Sequence, residues 1–220
     1  MKSTNILFIE ARKKSSAFEQ ELNSFIGHAE KILSALPPSF LIAYTIQYKF
    51  IAEKLKDFFK AKRKNVSGFM QVLGCTALRA KEKNILLVGS GKFHALQLAL
   101  QGKNMYIYEN GKISRISKPD TDRLVLKKKI ALSKFLSSEA IGIIVSSKPG
   151  QNNISLAISL KKKINNMGKT AFIFLEDNVS PNELENFSTG FWVNTACPGI
   201  AVYNDSNNIV NYTDIWSVLP

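Results

Sequence analysis

The chain has 220 residues, 45% of them apolar and 21% charged, with thirty Lys plus Arg against seventeen Asp plus Glu and a net charge of +13. That apolar share excludes a disordered chain. No charge-free apolar run reaches ~18 residues, which excludes a spanning helix, and two cysteines, Cys75 and Cys197, are too few for a disulfide scaffold. The first residues lack the apolar stretch of a secretory signal, so a cytoplasmic protein is expected.

In chain order, residues 5–9 read as a short strand and 16–35 as an amphipathic helix, with Phe18, Leu22, Phe25, Ile26, Ala29, Ile32 and Leu33 at helical spacing. Pro37-Pro38 ends that helix. A strand follows at 39–45, a helix at about 48–61 with Phe50, Ile51, Leu55, Phe58 and Phe59 inward, and strands at 66–73 and 84–88. A short helix after Gly91 carries Leu96, Leu98 and Leu100, and a strand at 104–108 runs into an Asn110-Gly111 turn. Asp120 reads as the N-cap of a helix at about 121–137. Then come strand 141–145, helix 152–166, strand 170–175, short helix 181–186 and strand 190–195.

Short, nearly continuous apolar strands separated by helices indicate parallel sheets covered on both faces. The two series also match each other, 40–45 with 141–145, 67–73 with 171–175 and 85–88 with 191–194. Such near-constant spacing reads as an internal repeat. The expectation is an α/β chain of two similar small domains, each a mainly parallel sheet flanked by helices, over 1–115 and 116–220. Ser114, Ser117, Lys118 and Pro119 read as the linker.

The positive charge is concentrated in Lys60–Lys64, Lys127–Lys129 and Lys161–Lys163. The plainer reading is solvated helix faces, the first and third near helix ends where cations meet the dipole favourably. The alternative is a surface for nucleic acid, anionic lipid or an acidic partner.

Ligands of open parallel sheets bind beyond the carboxyl ends of the strands. Residues there include Gly74-Cys75-Thr76, Gly89-Ser90-Gly91-Lys92-Phe93-His94, Ser146-Ser147-Lys148-Pro149-Gly150-Gln151 and Ala196-Cys197-Pro198-Gly199. A cysteine there is either a small buried apolar residue or a ligand. Gly89-Ser90-Gly91 is either a tight turn or a cradle whose N–H groups hold an anion; it is neither GxGxxG nor a P-loop. Lys148–Gln151 likewise reads as a turn or a binding loop. His94 is a base or a structural histidine, and His28 reads as incidental. With two histidines in the chain, a His-rich zinc site is excluded.

Taken in order, Gln71-Val72-Leu73-Gly74-Cys75, Val88-Gly89-Ser90-Gly91-Lys92-Phe93-His94, Ile144 to Gln151 and Val193-Asn194-Thr195-Ala196-Cys197-Pro198 resemble the diphthamide synthase radical enzymes, 2-(3-amino-3-carboxypropyl)histidine synthase. Ile6-Leu7-Phe8-Ile9-Glu10-Ala11-Arg12 resembles the start of that family's middle domain. The resemblance implies three similar α/β domains, each giving one cysteine to a central [4Fe–4S] cluster, with Cys75 and Cys197 as the middle- and third-domain ligands. It implies an open iron for S-adenosylmethionine, and transfer of its 3-amino-3-carboxypropyl group as a radical to a histidine of translation elongation factor two. It places Gly89, Ser90, Gly91, Lys148 and Gln151 as candidates for holding S-adenosylmethionine. It also implies that the first domain and the third cysteine come from a separate chain of a split, heteromeric enzyme, for which an oligomer of paired copies is expected. A non-catalytic companion subunit or a basic RNA-binding protein are the alternatives. Two positions depart from the family pattern: Gly199 replaces a basic residue after Cys-Pro, and Ala95 replaces a proline after Phe-His.

Overall fold

The computed structural model describes Asn23, Phe25 and residues 29–72, 80–89, 92–203 and 207–220. The strand expected at 5–9, most of the helix expected at 16–35, His28, Cys75, Ser90 and Gly91 lie outside the described residues. The chain divides into two compact units, Met1–Thr121 and Asp122–Pro220.

The first unit runs α1 (Ala29–Ala35), β1 (Ser39–Tyr44), a 3-10 turn (Ile46–Tyr48), α2 (Lys49–Ala61), β2 (Asn65–Gln71), β3 (Asn84–Val88), α3 (Phe93–Leu100), β4 (Asn104–Glu109) and β5 (Lys112–Arg115). Its sheet has the order β2-β1-β3-β4-β5, parallel except for β5. β1 is apolar without alternation because it is central and covered on both faces. Phe40, Ile42 and Tyr44 enter one core with Ile51, Leu55 and Phe59 of α2. Leu41 and Ala43 enter the opposite core with Ala95 and Leu98 of α3. Phe50 and Phe58, expected inward, pack on the first core while half-buried.

Two expectations at the junction are corrected. Asn110 and Gly111 have φ of 51° and 75°, the left-handed pair of a hairpin turn whose twist suits antiparallel strands. Residues 112–115, including Ser114, therefore form β5 against β4 rather than a linker. The next helix, α4, spans Lys118–Ser137, so Lys118 and Pro119 are helical too. Its cap is Ser117 and not Asp120. Ser117 Oγ and N both donate to Asp120 Oδ2, at 2.6 and 3.0 Å, and Asp120 N faces Ser117 Oγ at 3.3 Å. This is a reciprocal capping box, with Asp120 in the place usually held by Glu.

The second unit continues through β6 (Ala140–Ser146), α5 (Ile154–Asn166), β7 (Thr170–Glu176), α6 (Pro181–Leu184), β8 (Phe191–Asn194), α7 (Gly199–Tyr203), β9 (Ile209–Asn211) and α8 (Tyr212–Ile215). Its sheet, β7-β6-β8-β9, is wholly parallel. β9 was not expected: three residues are too few for a periodic signal. Gly142 of β6 lies under Trp192, where a Cβ would stand 2.3 Å from the indole ring.

The two sheets repeat one order. In each, the first strand lies between the second and the third, and the fourth lies beyond the third. The chain leaves the first strand to one side and returns on the other, which opens a crevice at the carboxyl ends. Among the described residues no helix is long and apolar enough to cross a membrane.

Candidate functional site

In the second unit three loops meet beyond the carboxyl ends of the strands. Ser146, Lys148 and Gln151 follow β6; Asp177, Asn178 and Val179 follow β7; Cys197 and Ile200 follow β8. Together they line a cavity of about 220 Å³. Cys197, Lys148 and Gln151, separated in sequence, are thus brought to one place. Asp177 and Asn178 were missed, although the strand-end rule that selected the other loops applies equally to the one after β7.

The loop after β6 is a turn that is also a cavity wall. Gln151 N donates to Lys148 O at 3.0 Å, and Gly150 takes φ 77°. Buried Ser146 accepts from Lys148 N at 3.2 Å, and Ser147 N donates to Glu176 O at 2.9 Å. Ser147 Oγ donates to Asp177 Oδ1, which ties the loops after β6 and β7 together.

The loop after β8 is fixed from below. Thr195 N and Oγ1 both donate to Ile144 O, at 3.0 and 2.7 Å, and Asn153 Nδ2 donates to Thr195 O at 2.6 Å. Asn194 Nδ2 donates to Cys197 O at 2.8 Å. Cys197 is half-buried and forms no disulfide. The cavity therefore combines a thiol, an ammonium, a carboxylate and two primary amides. Such a set suits a small zwitterion beside a soft metal ligand. No group of three or more His, Cys, Asp or Glu able to hold a metal occurs among the described residues.

In the first unit, Gly89 directly follows β3, where Thr45 approaches so closely that a Cβ would stand 3.2 Å from Thr45 Oγ1 and Cγ2. Thr45 N donates to Val88 O at 3.1 Å. His94 lies half-buried in the first turn of α3. The other expected residues of this end, Cys75, Ser90 and Gly91, lie outside the described residues.

The lysine runs are partly engaged by the fold. Lys64 Nζ donates to Leu36 O at 2.8 Å, Lys127 Nζ to Val202 O at 2.6 Å, and Lys163 Nζ to Pro220 O. Lys128 pairs with Asp214 at 2.9 Å. Three of these head groups are held by backbone oxygens and keep their charge, and Lys128 alone among them is paired with a side-chain carboxylate.

Comparison with known proteins bears on the same loops. A family model described as "Putative diphthamide synthesis protein" matches residues 1–209. The chain is 26% identical to 2-(3-amino-3-carboxypropyl)histidine synthase of Pyrococcus horikoshii over 205 residues, covering 88% of this chain and 58% of that protein. It is 30% identical to the enzyme of the same name from Methanocaldococcus jannaschii over 203 residues, covering 89% and 56%. It thus spans just over half the length of these relatives. The fold is similar to the crystal structure of Dph2 from Pyrococcus horikoshii, with TM-score 0.76 and 22% identity over 90% of this chain and 61% of that one. The structure of that protein with a 4Fe-4S cluster matches equally, again with TM-score 0.76. With the family match running from the first residue to within the last strand, across both repeats and every strand-end loop described above, the chain belongs to the diphthamide synthesis protein family.

Proposed function

We propose that this chain is part of a heteromeric [4Fe–4S] enzyme that transfers the 3-amino-3-carboxypropyl group of S-adenosylmethionine to a histidine of translation elongation factor two, the first step of diphthamide formation. The observation that carries this reading is the convergence of Cys197, Lys148 and Gln151 on one cavity. The names of the relatives support the reaction class. The two units correspond, in this reading, to the family's middle and third domains.

The donor set fits one corner of a cluster. Cys197 offers an unbridged, half-buried thiol at a cavity, and thiolate is the ligand that iron–sulfur clusters take. Cys75 supplies a second thiolate, and a separate chain the third. When bound, the cluster supplies the electron that cleaves a C–S bond of the cosubstrate.

The remaining tasks fall to this chain's own groups. Lys148 offers its ammonium to the methionine carboxylate. Asp177, on the same cavity, accepts from the α-amino group. Gln151 donates to the carboxylate or the ribose. Gly89, Ser90 and Gly91 offer their backbone N–H groups to a carboxylate. No protein acid–base pair is needed, which agrees with a chain holding two histidines.

The test is anaerobic co-purification with iron and sulfide assay. Iron uptake with a thiolate–iron absorption band near ~400 nm, present only with the partner and lost in Cys75→Ser and Cys197→Ser, is the expected result. Iron held entirely by the partner and indifferent to both substitutions would make this chain a companion subunit. Salt-sensitive binding of generic RNA with no affinity for S-adenosylmethionine would make it an RNA-binding protein.

A further inference from the structure

Among the described residues four polar residues are buried, Ser146, Asn194, Thr195 and Asn211. All four lie around the cavity loops of the second unit. A buried amide is costly unless its donors and acceptor are satisfied, and here two amides share one rung of the sheet, Asn194 on β8 and Asn211 on β9.

Their bonds converge on Cys197. Asn194 Nδ2 donates to Cys197 O at 2.8 Å and to Asn211 Oδ1 at 2.7 Å, and Asn194 Oδ1 accepts from Ala196 N at 3.0 Å. Asn211 Nδ2 donates to Pro198 O at 3.2 Å. Ile200 N also donates to Cys197 O, at 3.0 Å, so both lone pairs of that carbonyl are used. Pro198 restricts its own φ. The backbone on both sides of Cys197 is therefore held, and rotation about its Cα–Cβ bond is the main freedom left to the sulfur.

The first unit provides an internal comparison. Its last shared rung is Tyr44–Val88–Tyr108, where the second unit has Ile144–Asn194–Asn211. The same sheet order is built there with no amide at the third and fourth strands, and the loop that follows, Gly89-Ser90-Gly91, has no cysteine. The architecture does not demand the amides; in the second unit they coincide with the cysteine-bearing loop.

We infer that Asn194 and Asn211 are positioning residues, a buried amide pair that holds the loop in the backbone conformation presenting the Cys197 thiol to the cavity. Its functional meaning rests on the reading of Cys197 as a metal ligand, but the clamp can be judged without metal.

Asn194→Leu/Asn211→Leu removes the amide-to-amide bond from both sides but leaves Ala196 N and Pro198 O without their side-chain partners, so the variant is expected to be less stable than the parent, and the comparison is made below its melting temperature. The full chain, purified free of iron, is treated with iodoacetamide and followed peptide by peptide, with Cys75 as the reference thiol. The double variant is expected to keep a cooperative thermal transition while Cys197 alkylates at least about threefold faster than in the parent, because the loop opens more often. A smaller change in the folded variant overturns the inference. Should the double variant not fold, Asn211→Ala, which removes the bond to Pro198, is held to the same threshold. Val193→Ala loosens the same strand without touching the clamp; equal acceleration there would show that general stability sets the rate, and would also overturn the inference. Iron content of the assembled complex judges the metal reading separately, so either can fail alone.

Discussion

Asn194 and Asn211 stand side by side at the ends of two parallel strands, joined amide to amide at 2.7 Å and both almost wholly buried. Removing Asn194 leaves Asn211 Oδ1 without its donor, Ala196 N without its acceptor and Cys197 O with one donor fewer. Asn194→Ala is expected to lower stability by about 2–3 kcal/mol, since an orphaned buried group costs more than the net value of its bond. Thermal or urea denaturation measures this. A double-mutant cycle with Asn211→Ala should show coupling of about 1 kcal/mol, and strictly additive losses would mean that the two amides act independently.

The proposed ligand contacts of the cavity predict a charge-specific pattern. Lys148→Ala on the assembled protein should weaken S-adenosylmethionine binding about tenfold, the worth of one charge-assisted hydrogen bond. Asp177→Asn should weaken it comparably, while an S-adenosylmethionine analogue lacking the α-amino group should bind the parent and Asp177→Asn alike. Calorimetry that finds both variants unchanged would place the ligand elsewhere.

Gly142 is required by the indole above it. A methyl group at that position would fall 2.3 Å from Trp192, a contact that rigid, fully buried rings cannot relieve locally. Gly142→Ala should cost about 1–3 kcal/mol through overpacking, seen as a lower melting temperature. A variant as stable as the parent would show that the sheet and Trp192 shift apart without penalty.

The helix that opens the second repeat starts at a capping box. Ser117→Ala removes the side-chain bonds with Asp120 and should destabilise by about 1 kcal/mol. Asp120→Ala should have a similar effect on its own, and the double variant should lose less than the two losses combined, because each residue serves the other.

Much of the candidate site was legible because the rule that exposes it is local. A strand announces itself by an apolar run, and the residues that follow its carboxyl end are known at once. Cys197, Lys148 and Gln151 were found in that way. Asp177 and Asn178 were equally findable after β7. The engaged state of Lys127, Lys128 and Lys163 was not, since their partners Val202, Asp214 and Pro220 lie far along the chain.

By itself the sequence determined the parallel α/β class and the repeated succession of strands and helices along the chain, since burial on one or both faces is written into each strand's own apolar spacing. Only the tertiary structure decided that residues 112–115 close the first sheet as an antiparallel edge, that Ile209–Asn211 joins the second, and that Asn194 meets Asn211. Those outcomes depend on which backbones pair and in which register. Pairing of that kind is a property of two segments brought together, so neither segment carries the signal alone.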